Sequence, residues 1–360
     1  MPKSEFEGID PLQVQQAPFF QHPIGCGPFM VEEVNMKNYT ILAPFDKYYN
    51  GVADFKIQLL PSAGDSDPNV VTRAKSGNLD YGYTKMVADV QALEGTPGIT
   101  VTPIDVRYTR LFYLNKFDKK DGSPAPLADV RVRQALRYAI DMETICETLF
   151  QGSAVPANAL APDANLKGGD LNDYNYNPEK AKELLAEANW DPNTVIKAVY
   201  YYTDQATVDL MTAVQAYLAD VGIKMEFELV EGDLATILWA APADQTNGPR
   251  AVDWDICYAA NAALSLHEYY DRYRTGSPTN SHTPEDAELN RLIDATNASA
   301  DVNAQNEAFK ELIKYENENL FTMALYYQPI FLITSDKIGD IQKGTPQFCI
   351  NWGIQNWNVQ

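Results

Sequence analysis

Residues Asp129–Gly152 read DVRVRQALRYAIDMETICETLFQG, and their spacing predicts two short helices joined at Asp141. In the first, Val132, Ala135, Leu136, Ala139 and Ile140 recur at i, i+3, i+4, i+7 and i+8, an apolar stripe along one helix face. The second repeats that spacing with Met142, Ile145, Cys146, Leu149 and Phe150. Asp129 and Asp141 stand at N-cap positions, where a carboxylate accepts backbone N–H groups that the helix leaves unpaired. Gly152 is a natural stop. This helix pair divides the chain into two parts of different character.

Before it, short alternating runs dominate: strands are expected at Phe29–Val34, Tyr39–Pro44, Phe55–Leu60, Ile99–Ile104 and Thr109–Asn115. Asp67-Pro68 reads as a cap and first helical position for one short helix ending at Gly77. Phe117–Pro126, FDKKDGSPAP, reads as a domain crossover. After it, Asn177-Pro178 opens a helix, Val195–Thr203 is a strand ending in three tyrosines, and Thr207–Asp220 is a helix stopped by Gly222. Ile223, Met225, Phe227 and Leu229 then alternate with Lys224, Glu226 and Glu228, completing a strand–helix–strand unit of the parallel-crossover kind. Asp253–Ala259 is another strand, Thr283–Asp286 resembles a capping box, and a helix follows from Val302. Leu320–Thr334 is strand-like.

With 360 residues, 45% hydrophobic and 21% charged, the chain has material for two or three domains. Its formal net charge of −21 argues against nucleic acid and anionic membranes, which require basic patches. There is no apolar run of about 18 residues to span a bilayer, and the opening MPKSEFEGIDPLQ lacks the pattern of a signal peptide. Cys26, Cys146, Cys257 and Cys349 are widely spaced with no CxxC, so free buried thiols are expected. No two of His22, His267 and His282 have metal-ligand spacing. No nucleophile triad, phosphate loop or dinucleotide motif appears, so nothing supports an enzyme or a cofactor.

Several stretches carry a resemblance, in order along the chain. Pro23–Val34 (PIGCGPFMVEEV), Arg110–Phe117 (RLFYLNKF), Asp129–Asp141, Asn175–Trp190 (NYNPEKAKELLAEANW), Gln215–Glu231 and Val252–Ala260 (VDWDICYAA) resemble successive motifs of the extracytoplasmic solute-binding proteins, family 5, that serve ABC importers of peptides and nickel. The resemblance implies an α/β two-lobe fold like the periplasmic binding proteins (type II, peptide-binding class). Residues 1–17 would be a lead-in, 18–118 with 335–360 the first lobe, and 119–334 the second. It also implies a non-catalytic monomer that encloses a small solute, an oligopeptide or peptide-like molecule, between its lobes and hands it to ABC permease subunits. The place would be the periplasm or, as a lipoprotein, the outer face of the cell membrane. Only about sixteen residues precede the Pro23–Pro28 motif, where the family has a long segment; a chain cut from a longer protein, with an incomplete first lobe and no signal, is the expectation.

Peptide binders of this family carry an Asp-Pro after the strand matching Asp253–Ala259, and that Asp pairs with the peptide ammonium. Ser265 occupies that position here and cannot supply the charge. The alternatives are a non-peptide solute such as a sugar or metal chelate, or a sensory module that no longer transports. The ligand-binding candidates are Asn261, Ser265, His267 and Tyr269 in the loop matching the family's ligand segment. Tyr201 and Trp239 join them as aromatic wall, and Arg110 as the partner of an anionic group. Metal and catalytic residues are expected to be absent. The charges of the opening stretch, Asp129, Arg131, Arg133 and Asp141, are expected to cap and pack.

Overall fold

The computed structural model describes residues 3–9, 17–20, 22–35, 37–61, 67, 69–104, 108–162, 166–262, 270, 272–339, 351 and 353–360. In chain order the elements are β1 (Phe29–Asn35), β2 (Tyr39–Pro44), β3 (Ile57–Leu59), α1 (Val70–Lys75), β4 (Tyr81–Thr84), α2 (Val87–Leu93) and β5 (Ile99–Ile104). Then follow β6 (Tyr108–Leu114), α3 (Val130–Ala139), α4 (Met142–Thr148), β7 (Val155–Pro156), α5 (Pro178–Glu187), β8 (Val195–Tyr200), α6 (Gln205–Asp220) and β9 (Lys224–Leu229). The last are α7 (Leu234–Trp239), β10 (Ile256–Ala262), α8 (Ala287–Ala295), α9 (Val302–Asn319), β11 (Thr322–Tyr327), β12 (Ile330–Ser335), β13 (Ile338–Gly339) and β14 (Asn358–Val359). They fall into two compact units, Met1–Ile104 with Ile330–Gln360, and Asp105–Pro329.

The first unit holds two three-stranded antiparallel sheets, β1-β2-β3 and β4-β12-β5, and the short β13-β14 pair. Its described apolar core is small: Val70, Ala74, Leu93 and Ile333 bury together where α1 and α2 meet β12. The helix expected from Asp67 starts at Val70 instead, because Asp67 is engaged otherwise. Its carboxylate accepts the Asn69 amide at 2.9 Å and pairs with Arg73 at 2.7 Å. Cys26, expected to be buried, is exposed; Cys146 and Cys257 are buried free thiols.

The second unit is a helix–sheet–helix sandwich around six strands in the order β7-β11-β6-β10-β8-β9. β8 pairs in parallel with β9 and β10, while β6 runs antiparallel to both β10 and β11. The strand–helix–strand reading of Val195–Leu229 is therefore a parallel crossover, and Gly222 ends α6 at φ 85°, a conformation that costs glycine little. Both sheet faces are covered, as a sheet with apolar residues on both sides requires. On one face the apolar sides of α3, α4, α5 and α6 pack on Phe112, Leu114, Ile196, Ala198, Ile256 and Tyr258. On the other, Leu238, Leu289, Leu292, Ile293, Phe309, Leu312 and Ile313 pack on Leu111, Tyr113, Val199, Cys257 and Ala259.

These bounds differ from the lobe boundaries expected from the sequence. Tyr108–Leu114 lies inside the six-stranded sheet of the second unit, and Ile330–Ser335 pairs within the first. Phe117–Pro126 lies within the second unit, folded on a turn closed by the Gly122 amide on Lys119. Leu320–Thr334 is two strands, one in each unit.

The opening stretch packs as its spacing predicts. Asp129 and Asp141 accept the Arg131 and Thr144 amides, and every residue of the Val132–Ile140 stripe is buried. Arg133 does more than pack: it binds the carboxyl end of α9. Its Nε and Nη2 donate to the Asn319 carbonyl at 3.0 and 2.7 Å, and its Nη1 donates to the Leu127 and Ala128 carbonyls at 2.8 and 2.7 Å. A cation suits that end of a helix, where unpaired carbonyls concentrate negative potential. The Thr283 capping box does not form. Asp286 caps α8 through the Leu289 amide at 2.8 Å, and Thr283 is buried against His282.

Candidate functional site

The strands β8, β9, β10 and β11 all point the same way, so their carboxyl ends share one edge of the sheet with the amino end of β6. In open α/β sheets that edge is where ligands bind. Arg110, Tyr201, Tyr202 and Asn261 all lie along it: Arg110 faces Ala260 and Tyr326 across the ladder, and Asn261 faces Thr109.

Strand alternation then divides the candidates between the two faces. Arg110 shares a face with Phe112, Tyr258 and Tyr326. It is only 5% exposed, with its guanidinium carbon 4.2 Å from the Tyr202 ring centre and 5.7 Å from that of Tyr258. The Tyr258 and Tyr326 hydroxyls meet at 2.7 Å, and burial pushes the Tyr258 hydroxyl far above its ordinary range. Arg110 is thus a buried cation set among aromatic rings.

Tyr201, Trp239 and Asn261 belong to the opposite face. Tyr201 packs on that core, and its hydroxyl meets that of Tyr202 at 3.0 Å. Trp239 ends α7, set edge-on to Tyr113 with ring centres 5.0 Å apart. Tyr201, Tyr202, Trp239 and Asn261 are all half-buried, the exposure of a wall that a solute can touch. Ser265, His267 and Tyr269 lie outside the described residues.

Two groups that the sequence reading passed over complete this face. Arg272 lies over Trp239, its guanidinium carbon 4.1 Å from the ring centre and 6.0 Å from that of Tyr113. His282 is wholly buried, with its ring 4.9 Å from Tyr113 and 5.1 Å from Tyr273 and its Nδ1 2.7 Å from the Thr283 hydroxyl. Burial first, then Lys116 and Arg272, push its pKa well down, so the ring is neutral at physiological pH. Nothing in the residue spacing pointed to Arg272. Tyr202 was legible as the third aromatic of a strand end, but its face was not.

Other motif residues hold the scaffold together. Asp255 is fully buried, accepting Arg250 at 2.6 Å and the Lys197 amide at 2.8 Å. Asn115 donates to the Trp254 carbonyl at 3.2 Å, and its amide donates to the Asp255 carbonyl at 2.8 Å. Glu316 is buried beside Lys116, and burial raises its pKa to about 8. Among the described residues no group of three or more His, Cys, Asp or Glu is placed to hold a metal ion. None of the described helices is long and apolar enough to cross a membrane.

Similarity to known proteins agrees with this architecture. A Brucella ovis protein named for ABC transporter peptide binding is 28% identical over 231 residues, covering 62% of this chain. The chain spans 42% of that relative's length. The oligopeptide-binding protein AppA of Bacillus subtilis, solved with a nonapeptide, superposes at a TM-score of 0.78 with 19% identity, covering all of this chain and 72% of AppA. NikZ of Campylobacter jejuni, solved with Ni(L-His), superposes at 0.78 with 17% identity, covering 99% of this chain and 72% of NikZ. At such identities the likeness is one of fold. The sequence pattern of the bacterial extracellular solute-binding proteins, family 5 (middle region), matches residues 6–283, and the chain belongs to that family.

Proposed function

We propose that this chain is the non-catalytic solute-binding component of an ABC importer, taking up a peptide or peptide-like solute outside the cytoplasm as a monomer and delivering it to the permease. The observation that carries this reading is the family match over residues 6–283. Half-buried aromatic and polar side chains at the carboxyl edge of the second unit's sheet are consistent with it. On this reading Tyr201, Trp239 and Asn261 contact the solute from one face and Arg110 orders the edge from the other. Ser265, His267 and Tyr269 extend the same site. A metal chelate or other non-peptide solute is the second reading. It is favoured by Ser265 standing where peptide binders carry an Asp and by the fold shared with NikZ.

The test is a thermal-shift screen of the 360-residue chain against short peptides, amino-acid conjugates, sugars and metal chelates, followed by calorimetry on hits. A ligand that binds native protein alone raises the melting temperature with its concentration. Stabilisation by peptides supports the leading reading, and stabilisation by chelates alone supports the second. No shift with any class overturns both.

A further inference from the structure

An Asn-Gly pair is open to one spontaneous reaction, because glycine has no side chain to shield its own amide nitrogen. Once that nitrogen loses its proton it attacks the asparagine side-chain carbonyl carbon. A bond forms between the glycine nitrogen and Cγ, the Cγ–Nδ2 bond breaks, and Nδ2 takes up a proton and leaves as ammonia. Water then opens the five-membered succinimide at one carbonyl or the other, giving aspartate or isoaspartate with no change of oxidation state. The chain contains two such pairs, Asn50-Gly51 and Asn247-Gly248, and the tertiary structure holds them in opposite ways. Asn50-Gly51 is exposed on the connection between β2 and β3, next to Tyr49, which is 87% exposed. Gly51 stands at φ 97°, a conformation that glycine adopts without strain, and its amide donates to no acceptor among the described residues. Gly248 is buried, and its amide donates to the Asp244 carbonyl at 3.1 Å. The Asn247 amide donates to Asp244 Oδ1 at 3.2 Å, and the Thr246 hydroxyl ties the same turn to Glu285 at 2.8 Å. A hydrogen-bonded amide keeps its proton and its plane, so reaction there waits for local opening.

We propose that Asn50 is a spontaneous modification site of the native protein, converting through a succinimide to isoaspartate and aspartate while Asn247 stays intact. The site adjoins a packed point of the first unit. The Asn50 carbonyl accepts the Gln355 side-chain amide at 3.3 Å, and a Cβ on Gly51 would lie 3.3 Å from Asn356 Oδ1. In isoaspartate the main chain runs through Cγ and the former Asn50 carbonyl becomes a free carboxylate. An anion on a lengthened backbone then faces the turn at Ile354–Asn356 in place of that carbonyl.

The test ages the 360-residue chain in heavy-oxygen water at physiological temperature, once folded and once unfolded in guanidinium chloride, and follows both sites by peptide mapping with mass spectrometry. In the folded chain Asn50 is expected to convert about tenfold or more faster than Asn247, and in guanidinium the two rates converge to within about threefold. The Asn50 rate rises with pH, since the attacking nitrogen must be deprotonated, and the product carries an oxygen atom from the water. Asn50→Gln, which would have to close a six-membered ring, loses the reaction at that position and leaves the Asn247 rate unchanged. A melting temperature of this variant within a few degrees of wild type shows that the comparison is between folded proteins. Equal rates at the two sites of the folded chain, or faster reaction at Asn247, overturn the proposal. So does an Asn50 that stays intact in the folded chain. A difference that persists undiminished in guanidinium also overturns it, because the contrast then lies in the flanking residues and not in the structure.

Discussion

Replacing Arg133 by Met tests whether the opening helix pair is anchored by carbonyl recognition and not by its apolar stripe alone. The Arg133 side chain is 4% exposed and its guanidinium makes four hydrogen bonds, all to backbone carbonyls, and no ion pair among the described residues. Burial lowers its pKa to about 10, so it remains charged at neutral pH. Methionine fills part of the volume but leaves the Leu127, Ala128 and Asn319 carbonyls without these donors, at about 1–3 kcal/mol for each one left unsatisfied. Two effects oppose that loss. The desolvation cost of the buried cation disappears, and so does the repulsion that Arg133 exerts on Lys116. The expected net cost is about 3 kcal/mol, which in a unit of this size lowers the melting temperature by about 6–12 °C. Arg133→Lys keeps the charge but not the fork that spans three carbonyls, and falls between. Far-ultraviolet circular dichroism melts of the three proteins measure this. A loss under about 1 kcal/mol for Arg133→Met, or Lys no better than Met, refutes the anchoring role.

Two further perturbations follow from buried charge. Glu316 has a folded pKa of about 8 against an ordinary 4.5, so between these values the native state keeps a proton that the unfolded chain has released. Its contribution is therefore fully present below pH 4.5 and is lost as pH rises to 8, by about 5 kcal/mol at most. Glu316→Gln cannot ionise. Its stability, measured by urea titration, is expected to match wild type near pH 5 and exceed it near pH 8. Because buried Lys116, its pKa lowered, slopes the opposite way in both proteins, the difference between their curves is the quantity to read, and parallel curves would sink the assignment. Asp255→Ala strands Arg250 in the interior and is expected to cost about 3–5 kcal/mol. Asp253→Ala removes exposed pairings with Lys197 at 3.1 Å and, more loosely, with Arg250 at 3.8 Å, about 1 kcal/mol or less; equal losses at both positions contradict the account.

The helices of the second unit were legible because burial imposes its period on the residues themselves. The stripe from Val132 to Phe150 reappears as a packed face, and of the alternating residues Ile223 and Met225 are buried and Phe227 half-buried, while Leu229 at the strand end is exposed. Capping was less legible, since a carboxylate near a helix start has several local amides to choose from. Asp67 took the Asn69 amide and Arg73 and left the cap of α1 to Asn69, and Asp286 displaced Thr283. Cys26 shows a similar limit: a free buried thiol is expected there, but the residue is exposed.

By itself the sequence determined the family, the α/β class and the strand–helix–strand crossover, because these depend on local period and on motifs read in order. Tertiary structure alone decided which residues meet. The side of the sheet that a strand residue faces is fixed by its register with neighbours far away in sequence. That is why Arg110, chosen together with Tyr201, Trp239 and Asn261, stands across the sheet from them, boxed by Tyr202, Tyr258 and Tyr326. For the same reason Arg272, which no spacing marked, comes to lie on Trp239 as a half-buried cation without an acidic partner among the described residues.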